Sequence, residues 1–424
     1  MKIDSLKLTC FRGAVDLPLT LDKRLNVFVG VNGAGKSTVL DALALALSWA
    51  ANRIRHSGSS GRPIDETEIS NGKSTAAIDL TCQTESGTVE WKLSKSRAGH
   101  VAEDKSSFNQ LSEYARFVQG RISETSEHFD LPLFAYYPVN RAVLDIPLRI
   151  REKHRFTLLT AYDDALTAGA NFRTFFEWFR EREDLENENR KYLDELIKPE
   201  GFSFPDRQLK AVRQALSSFL PEFKNLTVRR NPLRMEVEKN GKRLTVNQLS
   251  DGEKCMIALI GDLARRFSIA NPTLDNPLVG TGIVMIDEID LHLHPKWQRL
   301  VVPKLLEVFP NCQFIVSTHS PHVITHVQPD SLYMLQQTPQ GVQVDRPRES
   351  FGKNVDRVLE DLMGLATTRP DEVELGLREI FLAIDNGVLQ EARGKIESLR
   401  KSIGDDPDLV RADVLIRRKE IIGK

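Results

Sequence analysis

The chain has 424 residues, 41% of them hydrophobic and 28% charged, enough for one large or two modest globular units. Lys and Arg number 58 and Asp and Glu 59, so a net charge of −1 excludes an overall electrostatic pull towards nucleic acid; any DNA contact would come from local basic patches or an assembly. Four scattered cysteines without a C-x-x-C pair argue against a disulfide or zinc framework, the acid at Asp4 does not suit a signal peptide, and no run approaches the ~18 apolar residues of a membrane span, so the expectation is a soluble cytoplasmic protein with no membrane contact.

Residues 1–30 alternate apolar and polar positions (Ile3, Leu6, Leu8, then Leu17, Leu19, Leu25, Val27), which predicts two or three strands with Phe11-Arg12-Gly13 as the first turn. Residues 26–29 form an apolar run that leads into Gly30-Val31-Asn32-Gly33-Ala34-Gly35-Lys36-Ser37-Thr38 and then into a helix with Leu40, Leu43 and Leu47 on one face. Gly30 to Ser37 fits G-x-x-x-x-G-K-[ST], the phosphate-binding P-loop, in its strand–turn–helix context. Glycines let the backbone N–H groups and the helix dipole face the α- and β-phosphates. The motif predicts that Lys36 reaches the β- and γ-phosphates and that the Ser37 hydroxyl lies on Mg²⁺, so ATP and Mg²⁺ are the expected cofactors.

Residues 52–75, rich in Ser, Gly and Asn, read as a mobile loop. Residues 77–84 and 88–94 alternate around Glu85-Ser86-Gly87 as a hairpin, residues 108–129 look helical, and residues 131–137 read as a buried strand. Composition then shifts. Residues 148–225 are charged and helix-favouring, opening with the basic run Arg149, Arg151, Lys153 and Arg155 and continuing with Phe172, Phe175, Phe176 and Phe179 at helical spacing. The aromatic stripe suits a core face. The basic run is open to two readings, a solvated face or a phosphate contact. Strand signals resume at 226–230, 233–238 and 243–246, followed by a helix near 252–267, a strand at 283–286, a helix near 297–309 and a strand at 313–317. Residues 351–424 read as a separate helical tail whose two helices carry stripes of Val373, Leu377, Ile380 and Ile384 and of Leu409, Val410, Val414 and Ile421. Such stripes must bury on the chain's own core, on a second copy or on a partner.

Three further segments bear on chemistry. The strand at 283–286 ends in Asp287-Glu288, a Walker B pattern in which Asp287 would hold Mg²⁺ and Glu288 would take a proton from the attacking water. Leu249-Ser250-Asp251-Gly252-Glu253-Lys254 places an N-cap Ser and a Gly at a helix start, a second anion site, although a plain capping box from Ser250 to Glu253 explains the same residues. Val316-Ser317-Thr318-His319-Ser320-Pro321 puts His319 at a strand end, within reach of a γ-phosphate.

In this order the motifs resemble the heads of ABC-type ATPases. Leu249 to Lys254 has the L-S-x-G-E-K signature form of SMC, Rad50 and RecF-like proteins, and 316–321 is similar to their switch-histidine segment. The resemblance implies an α/β fold with a mixed central sheet, an antiparallel β subdomain, a helical insertion and a helical C-terminal tail. It implies that Ser250, Gly252 and Glu253 complete the nucleotide site of another protomer, in a homodimer closed around ATP. Arg12 resembles an N-terminal arginine that approaches the nucleotide in Rad50-like heads, and Asn140 or Arg141 would replace the usual Q-loop glutamine. Asp287 to Pro295, with His292 and His294, resembles the D-E-x-[DE]-x-H-x-H-P segment of OLD-type ATPases, an interface segment in preference to a metal site.

The expected organisation is an N-terminal ATPase lobe (1–147), a helical insertion (148–225), a C-terminal ATPase lobe (226–350) and a tail for assembly or docking (351–424). About 100 residues after His319 leave no room for the Toprim nuclease domain of OLD proteins, and Asp406-Pro407-Asp408 lies in a proline turn ill-suited to metal. The tail resembles that of Septu-type antiphage ATPases (PtuA-like), which implies a separate HNH nuclease subunit as partner and no intrinsic nuclease. A RecF-like repair ATPase clamping DNA, or a scaffold that binds ATP without turning it over, are the alternatives.

Overall fold

The computed structural model describes residues 1–101, 104–125, 128–139, 155–167, 172–193 and 202–422. The chain divides into two compact units, Met1–Lys353 and Asn354–Lys424.

In the first unit, β1 (Lys2–Phe11), β2 (Ala14–Thr20), β4 (Thr75–Thr84) and β5 (Gly87–Ser96) form an antiparallel sheet in the order β2-β1-β4-β5. A six-stranded sheet is ordered β13-β12-β3-β11-β10-β6, from β3 (Leu25–Val29), β6 (Leu133–Tyr137), β10 (Gly282–Ile286), β11 (Cys312–Thr318), β12 (Leu332–Thr338) and β13 (Gly341–Asp345). All its neighbours run parallel except β12 and β13. Strands β3, β6, β10 and β11 are buried at every position, as their unbroken apolar runs require of parallel strands covered on both faces. In the first sheet β2 and β5 alternate buried and more accessible positions. This mixed α/β architecture is the one implied by the sequence motifs.

Helix α1 (Lys36–Arg55) contacts β4 of the antiparallel sheet and β6, β10 and β11 of the parallel one, and the Trp91 indole of β5 donates to the Ala46 carbonyl (3.1 Å). Helix α2 (Asn109–Glu124) lies against α1 and β5. The residues after α1 are less loose than their composition suggests: Arg12 N–H donates to Glu68 O (2.6 Å), Ser70 N–H donates to Cys10 O (2.9 Å), and Asp65 forms a capping box with Glu68.

Helices α3 (Phe172–Asn189) and α4 (Arg207–Phe219) follow, then a three-stranded sheet of β7 (Phe223–Arg230), β8 (Leu233–Lys239) and β9 (Lys242–Thr245). The aromatic stripe is core: Phe172, Phe175, Phe176 and Phe179 are all buried, with Phe175 against Gly261. That glycine belongs to α5 (Asp251–Ala270), which is buried almost all round and so functions as an interior helix. Helices α6 (Pro295–Val308) and α7 (Pro321–Ile324) complete the unit. Asn140, Arg141, Arg149, Arg151 and Lys153 lie outside the described residues.

The second unit holds α8 (Val355–Arg357), α9 (Asp371–Asp385), α10 (Leu389–Ile403) and α11 (Pro407–Ile422). Its α9–α11 portion has a core of its own, in which Leu377, Ile380 and Ile384 pack with Ala392, Ile396, Leu409, Ala412 and Ile416. The stripe of α11 therefore differs from the sequence reading. Leu409 turns inward together with Ala412 and Ile416, whereas Val410, Val414 and Ile421 are exposed. Asp406 and Asp408 are both paired to Arg369 (3.1 and 2.7 Å), which gives the two acids a partner within the tail. Ile380→Ala would leave a cavity in this small core and cost about 2–5 kcal/mol. Hydrogen exchange should then show protection falling across α9–α11; unchanged protection would mean that the core does not hold these helices.

Candidate nucleotide-binding site

The register of the parallel sheet brings the motifs together. Thr318 stands opposite Val29 and Val316 opposite Ile286, so Gly30, His319 and Asp287 all leave the same edge of adjacent strands β3, β11 and β10. Strands lie about 4.8 Å apart, so the three chain exits span roughly 10 Å.

At the first exit the backbone turns through Gly33 and Gly35, with φ of 82° and 102°, into the N-terminus of α1. Gly30 cannot be larger, because a Cβ there would lie 2.5 Å from the Leu335 carbonyl of neighbouring β12. Asn32, Gly33 and Ser37 are exposed, Thr38 is half-buried, and Ala34 and Lys36 are buried. The Lys36 ammonium donates to the carbonyls of Gly30 (2.9 Å) and Val31 (3.2 Å), folding back over the loop. Burial lowers its pKa from the usual lysine value, opposed by the charges of Asp287, Glu288 and Asp290. A desolvated cation at the N-terminus of α1 favours a polyanion at this place.

At the second exit Asp287 is 2% exposed and accepts a hydrogen bond from Ser317 Oγ, and the Glu288 N–H donates to the same oxygen (2.7 Å). Glu288 has a left-handed backbone (φ 46°), as does His292 (φ 61°), so the tight turn after β10 is held in a conformation that side chains rarely adopt. Thr318 Oγ1 donates to Asp290, which pins the turn a second time. His319 is half-buried, and its pKa is lowered from the ordinary histidine value by burial first and by the Lys36 charge second. Its imidazole is therefore neutral at physiological pH. Asp290, Glu288 and Asp287 act on it in the opposite sense, which places Lys36, the acids and His319 within one electrostatic neighbourhood.

Ser37 and Asp287 supply a hydroxyl and a carboxylate, the oxygen donors that suit Mg²⁺ bound to a nucleotide. His294 instead caps α6, its Nδ1 accepting from Lys296 N–H (3.2 Å), and among the described residues no cluster of His, Cys, Asp and Glu could hold a metal ion.

The remaining predicted residues lie elsewhere. Ser250 caps α5 and forms a full capping box with Glu253, whose other carboxylate oxygen is held by Lys239. The capping reading of this segment is thus realised, and other N–H groups of the helix start lie outside the box. Gly252 sits against the post-β10 turn, where a Cβ would lie 2.5 Å from the His292 carbonyl. Among the described residues, no hydrogen bond or ion pair joins 250–253 to 30–38. Arg12 pairs with Asp41 (2.6 Å) and Glu68 (2.8 Å), and Asp41 also accepts from the Tyr136 hydroxyl (2.7 Å). Since Asp41 follows Ser37 by one helical turn, Arg12 is anchored beside the loop but already engaged by two acids.

Sequence reasoning overlooked Ser317, Asp290, Thr318 and Lys239. The first three stand inside the motifs themselves, so a search for hydroxyls beside Walker B acids could have found them; Lys239 carries no local signal. Removing the hydroxyl in Ser317→Ala would leave the Asp287 carboxylate and Glu288 N–H short of one shared partner, at about 1–3 kcal/mol. Steady-state ATP turnover should fall by about 10-fold or more while the fold stays intact. Wild-type turnover in that variant would show that Ser317 does not set the turn.

A family model described as an AAA domain matches residues 5–224, and a second AAA domain model matches residues 141–325. The chain is 30% identical to "Retron Ec83 probable ATPase" of Escherichia coli over 99% of this chain and 87% of that protein. It is 32% identical to "Retron Vc95 probable ATPase" of Vibrio cholerae serotype O1 biovar El Tor over 80% of this chain and 74% of that one. Against "Septu protein PtuA" of Bacillus thuringiensis the identity is 22%, over 87% and 85% of the two chains. With the P-loop and Walker B acids at one strand edge, the chain belongs to the AAA-domain family of P-loop ATPases that includes these retron ATPases, and it is an ATP-hydrolysing enzyme resembling PtuA.

Proposed function

We propose that this ATPase works as a head-to-tail dimer enclosing two ATP molecules, and that it controls a separate HNH nuclease in cytoplasmic antiphage defence. The observation that carries the reading is the incompleteness of the site. Lys36, Asp287, Glu288 and His319 share one edge, while Ser250 and Gly252 present a helix N-terminus with no bond to that chain's own loop. A second protomer would supply the missing helix start.

In this reading the loop from Gly30 to Thr38 cradles the phosphates, Lys36 releases its two carbonyls to reach the β- and γ-phosphates, and Arg12 contacts the nucleotide from beside α1. Ser37 and Asp287 hold Mg²⁺, which when bound neutralises phosphate charge. Glu288, aimed by its left-handed backbone, orients a water and takes its proton, and neutral His319 donates to the γ-phosphate. Ser250 and Gly252, with Glu253 fixing the cap, face the γ-phosphate of the other protomer. The lobes 1–147 and 226–350 carry this chemistry, 148–225 is an insertion, and 351–424 serves assembly or nuclease docking. Similarity to Septu PtuA and the exposed Val410, Val414 and Ile421 of α11 support a docking role for the tail.

Glu288→Gln keeps the shape and removes the base. ATP affinity should stay within a few-fold and hydrolysis should drop by ~10²–10⁴. Light scattering should at the same time find an ATP-stabilised dimer. Normal turnover would take the role from Glu288, and a strictly monomeric ATP-bound variant would argue against the enclosed dimer.

A further inference from the structure

A second pocket lies at the opposite end of α1. It has a volume of about 370 Å³ and is lined by Arg55, Arg155, Arg265 and Arg266 together with Asp163 and Asp164. Arg55 is the last residue of a 20-residue helix that begins at Lys36. At 1.5 Å per residue the pocket is therefore roughly 28 Å from the phosphate loop, too far to belong to the same nucleotide.

Its charges do not balance. Asp262, fully buried, is the partner of both Arg265 (2.7 Å) and Arg266 (2.8 Å) and also accepts from the Tyr137 hydroxyl (2.9 Å). Arg266 has a structural explanation, since it also donates to the carbonyls of Ala161 and Asp163 (both 2.8 Å) and so ties α5 to that segment. Among the described residues Arg265 has no such second role, and it is only 2% exposed. Asp163 is taken by Arg55 (2.6 Å), and Arg155 is exposed and makes no ion pair among the described residues. Among the described residues four guanidiniums thus meet three carboxylates, Asp163, Asp164 and Asp262, leaving an excess of 4 − 3 = +1. Burial, and after it the Arg266 charge, pull the Arg265 pKa below the usual arginine value despite Asp262. A buried guanidinium sharing its only carboxylate is costly unless a further anion arrives.

We propose that this pocket binds a phosphate monoester, held between Arg155 and Arg265. A forked guanidinium matches phosphate oxygens in pairs. The charge excess suits a monophosphate at −1 to −2 and not a triphosphate, which the nearby Asp163 and Asp164 would repel. The volume falls in the range of small-ligand sites. A free mononucleotide and the phosphorylated end of an oligonucleotide present the same group.

The test is calorimetric titration of the full chain with its phosphate loop first saturated by a non-hydrolysable ATP analogue and Mg²⁺. The probes are the four nucleoside 5′-monophosphates, a 5′-phosphorylated single-stranded tetranucleotide and the same tetranucleotide without phosphate. One additional site per chain is expected, dependent on the phosphate and weakened about tenfold by Arg155→Ala, an exposed position that leaves the fold alone. Arg265→Met should weaken it at least as much; if that variant fails to fold, Arg155→Ala decides alone. Preference for the monophosphates identifies a free nucleotide as the source, and preference for the phosphorylated tetranucleotide identifies a nucleic-acid end. No binding of any phosphorylated probe, equal binding of the two tetranucleotides, or binding indifferent to Arg155→Ala each overturns the assignment.

Discussion

The site depends on the register of three parallel strands. Because Thr318 is fixed opposite Val29 and Ile286 opposite Val316, the phosphate loop, the Walker B acids and His319 emerge side by side. A slip of one residue in β11 would turn its side chains to the other face and remove Ser317 from Asp287. That serine joins the strands chemically as well as geometrically, since one hydroxyl oxygen serves both Asp287 and the Glu288 N–H. The strained turn from Glu288 to His292 is affordable because it is tied at Ser317 and again at Thr318, and its far end supports Gly252 at the start of α5. A change at Glu288 can thus be felt at the helix start that the proposed dimer presents to its partner.

Much of this is legible in the sequence. The P-loop and Walker B patterns state their chemistry in short contiguous runs, because a phosphate cradle needs glycines and a lysine at fixed spacing and a buried parallel strand needs an unbroken apolar run. The aromatic stripe of α3 was equally readable, since helical periodicity records which face is buried. What was not legible is long-range. The pairing of Lys239 with Glu253 joins two different elements, and the two guanidiniums on Asp262 look in sequence like one more charged helix turn. The stripe on α11 was misread because valines at both 410 and 414 look like core positions until Ala412, small and easily overlooked, is seen to be the one that faces α9 and α10. The segment after α1 was read as loose from its Ser, Gly and Asn content, yet its backbone bonds to Cys10 and Arg12 depend on a hairpin more than fifty residues earlier.

The α9–α11 portion of the tail buries its own small core and leaves Val410, Val414 and Ile421 of α11 exposed. In the ATPase unit Lys36, Asp287, Glu288, Asp290 and His319 share one electrostatic neighbourhood, and the arginine-rich pocket lies at the other end of α1.

The central claim is that one chain supplies only half of a working site. Lys36→Ala lacks the lysine of the phosphate loop and Ser250→Arg blocks the helix start, so each protein alone should be inactive. Mixed in equal amounts, they can form heterodimers in which one of the two sites is free of both lesions. Measured ATP turnover should then return to a substantial fraction of the wild-type rate. A mixture shown by mass spectrometry to contain heterodimers, yet dead at every ratio, would contradict a site completed by two chains.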